Sequence, residues 1–321
     1  MNKSLSKFLQ ISIPLALGIF LIWFIFGKFT PEQKEQVLFH FKNANYWIVA
    51  LAVFLSVFSH LVRAYRWNFM LEPLGFKPKL LNNFMAVSIA YLMNIFIPKS
   101  GEVSRAVVLS KYEKVPFDKG FGTIISERIV DLLLLFLFTL IALLLEFDTL
   151  FAYLKEIVPV RKIGLLLLVL AVLGILFLLF MKYSKSPLSL KIKKLISGLK
   201  DGVLSVATMR KKGPFILHSL FIWGLYILSF YTATQALPDT SEISLGTVII
   251  TFVVGSFAFA FTNSGFGTYP AAIMGILLVF GIPETLGTAF GWIVWTSNIA
   301  AILLFGVLSF IFLPIYNRDK L

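Results

Sequence analysis

The 321-residue chain has no cysteine, which excludes disulfides, thiolate metal centres and thiol catalysis. Histidine is scarce: His40, His60 and His218 lie in separate segments without the spacing of zinc ligands. No GxxxxGK[ST] sequence occurs, so no P-loop for ATP is recognisable. No cofactor is expected. Charge of either sign is sparse at 14% of residues, where an ordinary soluble domain carries about 25%. What fills the chain instead is apolar: hydrophobic residues make up 58% of it and the mean hydropathy is +0.88. The fold class this implies is an all-α polytopic membrane protein, with no room between apolar runs for a sizeable soluble domain. The formal charge of +13 invites a nucleic-acid reading. Its distribution points to a membrane surface, and no nucleic-acid partner is expected.

About 20 predominantly apolar residues suffice to cross a bilayer. Such runs lie near 8–27, 46–67, 120–145, 163–181, 214–236 and 286–313. The first follows Lys3 and Lys7, lacks a clear small-x-small cleavage site and reads as an uncleaved signal anchor. Two further stretches are broken. The run 81–97 is short and stops at Pro98-Lys99-Ser100-Gly101, and the pair 246–262 and 268–281 is interrupted by Asn263-Ser264-Gly265-Phe266-Gly267. Proline, glycine and asparagine punctuate helices in this way. The expectation is about six full spans plus two broken or re-entrant helical hairpins.

Basic residues set the orientation. Segment 182–212 holds nine of them against one acid, Asp201, and segment 98–119 holds five. Both fall on the cytoplasmic side, with both termini, only if 81–97 enters and turns back without crossing. On that reading 22 of the 29 lysines and arginines are cytoplasmic and Arg128 alone is intramembrane. The second hairpin is then external. One integral membrane domain, 1–321, divides into an anchor span and loop (1–45), a first unit (46–145), a connecting span with a basic cytoplasmic segment (146–213) and a second unit (214–321). The two units have inverted topology, as in many transporters. Two thin full spans would serve equally for the second hairpin. The expected location is a bacterial-type cell (inner) membrane.

The run 120–145 contains Glu127, Arg128 and Asp131, which share about one quarter of a helix circumference at ~100° per residue. Charges in mid-membrane cost roughly 2.5–3.5 kcal/mol each and mark function by default. The bland alternative is a structural ion pair, its net negative charge answered by a base such as Arg105. Glu102 suits the first turn of a helix restarting after the break, which is ordinary capping. Arg105 lies three residues along on the same face, and Lys99 at the break could reach a phosphate. Arg63, Arg66 and Trp67 close the span 46–67, with His60 on the same face. Their ordinary reading is anchoring at the cytoplasmic interface; the functional one is attraction of anionic head groups. Gly101, Asn263, Gly265 and Gly267 mark the two hairpin breaks, where helix N-termini suit anions.

These residues together resemble the flippase-like transmembrane domain family of lysylphosphatidylglycerol synthases. The resemblance rests on Arg63-Ala64-Tyr65-Arg66-Trp67, on Pro98-Lys99-Ser100-Gly101-Glu102-Val103-Ser104-Arg105, on Glu127-Arg128-Ile129-Val130-Asp131 and on the late glycine-rich turn. That turn departs from the family's PxPGGxGxxE-like pattern. Asn263-Ser264 replaces the Pro-Gly portion, Gly265-Phe266-Gly267 is kept, and the acid after it is missing. The resemblance implies lipid translocation or a related membrane task. With no aminoacyltransferase domain in these residues, it argues against lysyl transfer.

The leading expectation is therefore a flippase-like transporter of a phosphate-bearing lipid with an anionic or zwitterionic head group. In it Arg63, Arg66 and Arg105 draw the phosphate, Glu127 and Asp131 meet a cation or coupling proton, and Arg128 keeps the acids charged. The alternatives are a membrane-embedded transferase or hydrolase on a lipid-linked phosphate, with Glu127 or Asp131 as general base, and a non-catalytic partner of envelope enzymes. A homo-oligomer is also open.

Overall fold

A computed structural model describes residues 3–157, 160–184, 186–190, 192–193, 197, 206, 208–262 and 264–318. Among these, every regular element is a helix. In chain order they are α1 (Lys3–Lys28), α2 (Pro31–Asn43), α3 (Tyr46–Leu71), α4 (Leu80–Phe96), α5 (Ser100–Glu113), α6 (Phe117–Leu145), α7 (Phe147–Ile157), α8 (Val160–Tyr183), α9 (Lys212–Thr234), α10 (Leu245–Phe261), α11 (Thr268–Val279) and α12 (Glu284–Tyr316). Four described helices, α3, α6, α9 and α12, are each long and apolar enough to cross a membrane. Helix α1 joins them if it is taken together with α2, from which it is bent by 115°. The last expected span, α8, adds the apolar stretch Val172–Tyr183. Large apolar side chains such as Phe54, Phe136, Leu178 and Phe310 cover the outside. A surface of that kind suits lipid rather than water.

The first break follows from its sequence. Pro98 disfavours helix at the residue before it, and Ile97 is accordingly extended (φ −131°, ψ 111°). Lys99 then turns the chain in the left-handed region, φ 63°. Backbone groups freed at membrane depth need partners. The Ser100 hydroxyl bonds to the carbonyls of Ile97 (2.7 Å) and Met93 (3.0 Å), and the Gly101 N–H donates to Asn94 Oδ1 at 2.8 Å. A Cβ at Gly101 would lie 2.2 Å from the Ala90 carbonyl oxygen, so only glycine lets α5 fold back this closely.

At the second break Ser264, Gly265 and Gly267 all have positive φ, while Asn263 lies outside the described residues. Trp295 Nε1 donates to the Ser264 carbonyl at 2.8 Å. A Cβ on Gly267 would sit 2.3 Å from the Gly18 carbonyl oxygen, because α1 packs backbone to backbone on this turn.

Two sets of contacts define opposite faces. On one, Glu113 accepts from Lys79 N–H (3.2 Å) and from Asn82, Asn82 exchanges bonds with Asn317 (2.8 and 2.9 Å), and Lys211 pairs with Glu72 at 2.5 Å. On the other, Glu146 accepts from Ser244 (2.6 Å) and Thr247 (3.3 Å), and Asn45 N–H donates to Ala236 at 2.8 Å. The α4–α5 hairpin thus begins and ends on the first face. The α10–α11 hairpin begins at the second, and Phe280 just after it packs against the apolar cluster that includes Ala142 of α6. The tips touch in the interior, where the Ser264 hydroxyl reaches the Asn94 carbonyl at 3.4 Å. Each unit therefore reads long helix, broken hairpin, long helix.

Candidate functional site

The site is assembled by α3, α5, α6 and α9. Glu127 on α6 is fully buried and receives Arg63 Nη1 (2.5 Å), Arg66 Nη2 (3.1 Å) and both terminal nitrogens of Arg105 (3.0 and 3.1 Å). One turn on, Asp131 takes Arg63 on Oδ2 (2.6 Å) and Arg66 on Oδ1 (3.3 Å). Helix α9 supplies the remaining acceptors: Ser219 Oγ for Arg66 (2.6 Å) and Tyr226 OH for Arg63 (3.0 Å). The Arg105 guanidinium lies 3.7 Å from the Trp67 ring centroid, and Trp67 Nε1 bonds Thr123 at 2.8 Å. A carboxylate shared by three guanidinium groups fits the planar fork of arginine. Burying so many charges is tolerable only because nearly all are paired.

Arg128 stands apart. It is the most exposed of the four arginines, at 35%. Its Nε lies 3.1 Å from Glu102 Oε1 but out of hydrogen-bond alignment, and Nη1 is 3.7 Å from Asp131.

Against this cluster lies a cavity of about 440 Å³. Its charged end carries Arg63, Arg128, Asp131, His60, Tyr91 and Tyr226, the His60 and Tyr91 rings being stacked at 4.4 Å. Its walls are largely apolar, from Val49 and Ala52 on α3 to Trp223, Phe230 and Phe252 on α9 and α10. Along α3 the lining runs from Arg63 to Val49, fourteen residues or about 21 Å of helix. It leads away from the first face, the basic one that carries Lys79 and Lys211. Both units contribute, the second through α9, Phe259 and Tyr269 of its hairpin, and α12.

Of the residues singled out in the sequence, Arg63, Arg66, Glu102, Arg105, Glu127, Arg128 and Asp131 come together. Lys99 is exposed at the first hairpin tip and is not in the cluster. The interface-anchor reading of Arg63, Arg66 and Trp67 is corrected: all three are buried, because α3 runs on to Leu71 and packs along α9. Arg63, Arg66 and Arg105 therefore belong to the interior of the bundle rather than to its surface. Gly265 and Gly267 lie in the turn between α10 and α11, and Gly101 is the second residue of α5, just after the turn at Lys99. Sequence reasoning missed Tyr91, Ser219 and Tyr226. Ser219 and Tyr226 share the face of α9 turned to α3, a seven-residue spacing that was the one available signal.

The profile of the lysylphosphatidylglycerol synthase TM region matches residues 11–315. A UPF0104 membrane protein of Methanocaldococcus jannaschii is 23% identical across 98% of this chain and 97% of its own length. One from Methanothermobacter thermautotrophicus is 24% identical across 84% of both. The glycosyltransferase AglD of Haloferax volcanii is 30% identical over 104 residues, 32% of this chain and 16% of that protein. No solved structure matches. Matched across nearly its whole length, with the paired charges of α3, α5 and α6 in place, the chain is a polytopic membrane protein that belongs to the lysylphosphatidylglycerol synthase TM region family.

Proposed function

We propose that the protein is a flippase-like transporter that moves a phosphate-bearing amphiphilic lipid between bilayer leaflets. The observation that carries this reading is the cavity, whose apolar walls end on Arg63, Arg128 and Asp131 inside the membrane domain. An amphiphile needs both surroundings at once: hydrocarbon for its chain and a charged floor for its head group. Two broken hairpins entering from opposite faces and touching at their tips add support, since alternating access in transporters commonly uses inverted units around a central site. In this reading Glu127 and Asp131 hold the arginines in place. Arg63 and Arg128 face the lipid, and Lys99 attends the hairpin tip. The basic face is cytoplasmic, both termini lie there, and the membrane is the inner membrane of the cell. With no nucleotide motif, movement is downhill, ion-coupled or partner-driven.

The test is leaflet-resolved accessibility of labelled lipids in proteoliposomes. The comparison is wild type against Ser297→Trp, which fills the cavity and leaves every charge intact. Head-group-selective movement lost in Ser297→Trp is the expected result. Movement of every lipid alike, or equal movement by the variant, would overturn it.

The stretch shared with the Haloferax glycosyltransferase favours a second reading, in which the same cavity presents a lipid-linked phosphate for transfer or hydrolysis. A mass change in the lipid on incubation would separate it from transport.

A further inference from the structure

We infer that the outer groove between α4 and α12 holds a resident anionic phospholipid, with one acyl chain in the groove and its phosphate at Lys79. The groove shares no residue with the central cavity. Reciprocal hydrogen bonds between Asn82 and Asn317 hold the two helices together at the basic face. Deeper in the bundle they meet again at Gly306, where a Cβ would lie 2.6 Å from Leu92 Cβ. A furrow of about 360 Å³ lies along this helix pair. Its walls include Leu81, Phe84, Phe305, Leu308, Phe312 and Tyr316, and the Phe84 and Phe305 rings meet edge to face at 6.3 Å. From Tyr316 to Phe305 the lining follows α12 for eleven residues, or about 16 Å. That is roughly half of the ~30 Å hydrocarbon core, the depth of one leaflet. An apolar groove of that depth, starting at a membrane face, matches an acyl chain.

Charge at the mouth selects the head group. Lys79 Nζ lies 5.2 Å from the centroid of the Tyr316 ring, which lines the groove. Lys77, two residues before Lys79, and Arg318, two residues after Tyr316, are exposed as well. None of the three forms an ion pair with a described residue. Glu113 accepts from Asn82 and from the Lys79 N–H, so one carboxylate stands against three bases. Asp319 and Lys320, which follow Arg318, are of opposite sign and cancel. An anionic lipid supplies the missing negative charge without bringing a cation of its own. A second copy of the chain does the reverse. A two-fold axis along the membrane normal would set the same basic edge against itself, and like charges there repel. The bound lipid would brace the first arm of the first hairpin against the last helix of the second unit.

The test is native mass spectrometry of the purified full chain, offered equal amounts of phosphatidylglycerol and phosphatidylcholine with the same acyl chains. Wild type is compared with Ser297→Trp, whose filled cavity keeps the central site out of the measurement. Phosphatidylglycerol is expected to be retained about fivefold over phosphatidylcholine in both, the scale of one basic residue at an anionic surface. Lys79→Gln should lose that preference. Leu308→Trp, which fills the groove from its exposed side, should abolish retention. Lys79 is exposed and unpaired, so Lys79→Gln decides the matter if Leu308→Trp fails to fold. Equal retention of the two lipids, an unchanged preference in Lys79→Gln, or full retention in folded Leu308→Trp would each overturn the inference. So would a dimer that Leu308→Trp dissolves, since the groove would then belong to a second copy.

Discussion

The first and second units share a plan and differ in polarity. Helices α3 to α6 and α9 to α12 each set a broken pair between two long helices, with 17 residues in the first arm of each hairpin. The first unit places Arg63, Arg66, Glu102, Arg105, Glu127, Arg128 and Asp131 in its interior. In the second, residues 213–317 include only Asp239, Glu242 and Glu284, all in or beside the loops at the second face. The hairpins are also secured differently. The first is tied by Ser100, Asn94 and Gly101, and the second by glycines, a tryptophan and the backbone of α1. Topology therefore builds the cavity from both halves while one half supplies all its charge. Ser219 and Tyr226 are the second unit's polar contribution to the charged cluster, and both are neutral.

The contrast is broken most severely at Glu127. Glu127→Ala leaves three buried guanidinium groups without their shared carboxylate, and breaking one buried pair already costs about 3–5 kcal/mol. Loss of folded protein is expected, read by fluorescence-detected size-exclusion chromatography. No single polar substitution in the interior of α10 or α11 should match it. Gly267→Ala comes next. It combines φ 67° with a Cβ 2.3 Å from the Gly18 carbonyl, and such backbone strain alone costs about 1–3 kcal/mol. A clear fall in melting temperature is expected, with α1 detaching from the second hairpin, which crosslinking between α1 and α11 would register.

Trp295→Phe sharpens the comparison more gently. It deletes the single bond to Ser264, worth about 1 kcal/mol net, and should lower the melting temperature slightly. The smallest effect is expected at Lys99→Gly. Relief of the left-handed backbone should stabilise the protein by about 1 kcal/mol. Unchanged lipid movement would show that the charge of Lys99 is dispensable, and reduced movement in a more stable protein would assign it a role.

The legibility of the molecule followed the range of its interactions. Hairpin breaks at Pro98-Lys99 and Gly265-Phe266-Gly267 were readable because proline and glycine act on their own backbone. The trio on α6 was readable because three charges in an apolar run share one helical face. Arg63 and Arg66 read more naturally as interface anchors, since near the end of an apolar run buried and snorkelling arginines look alike. Tyr91 gave no signal, because a tyrosine in a membrane helix is unremarkable until something stacks on it.

By itself, then, the sequence determined the membrane class, the helical elements, the two breaks and the concentration of charge in the first half. Composition and local spacing control those features residue by residue. Only the tertiary structure decided who pairs with whom. Arg63 meets a carboxylate 64 residues away and Arg66 a hydroxyl 153 residues away. Such partnerships depend on which helix faces pack together, and that choice belongs to the whole bundle.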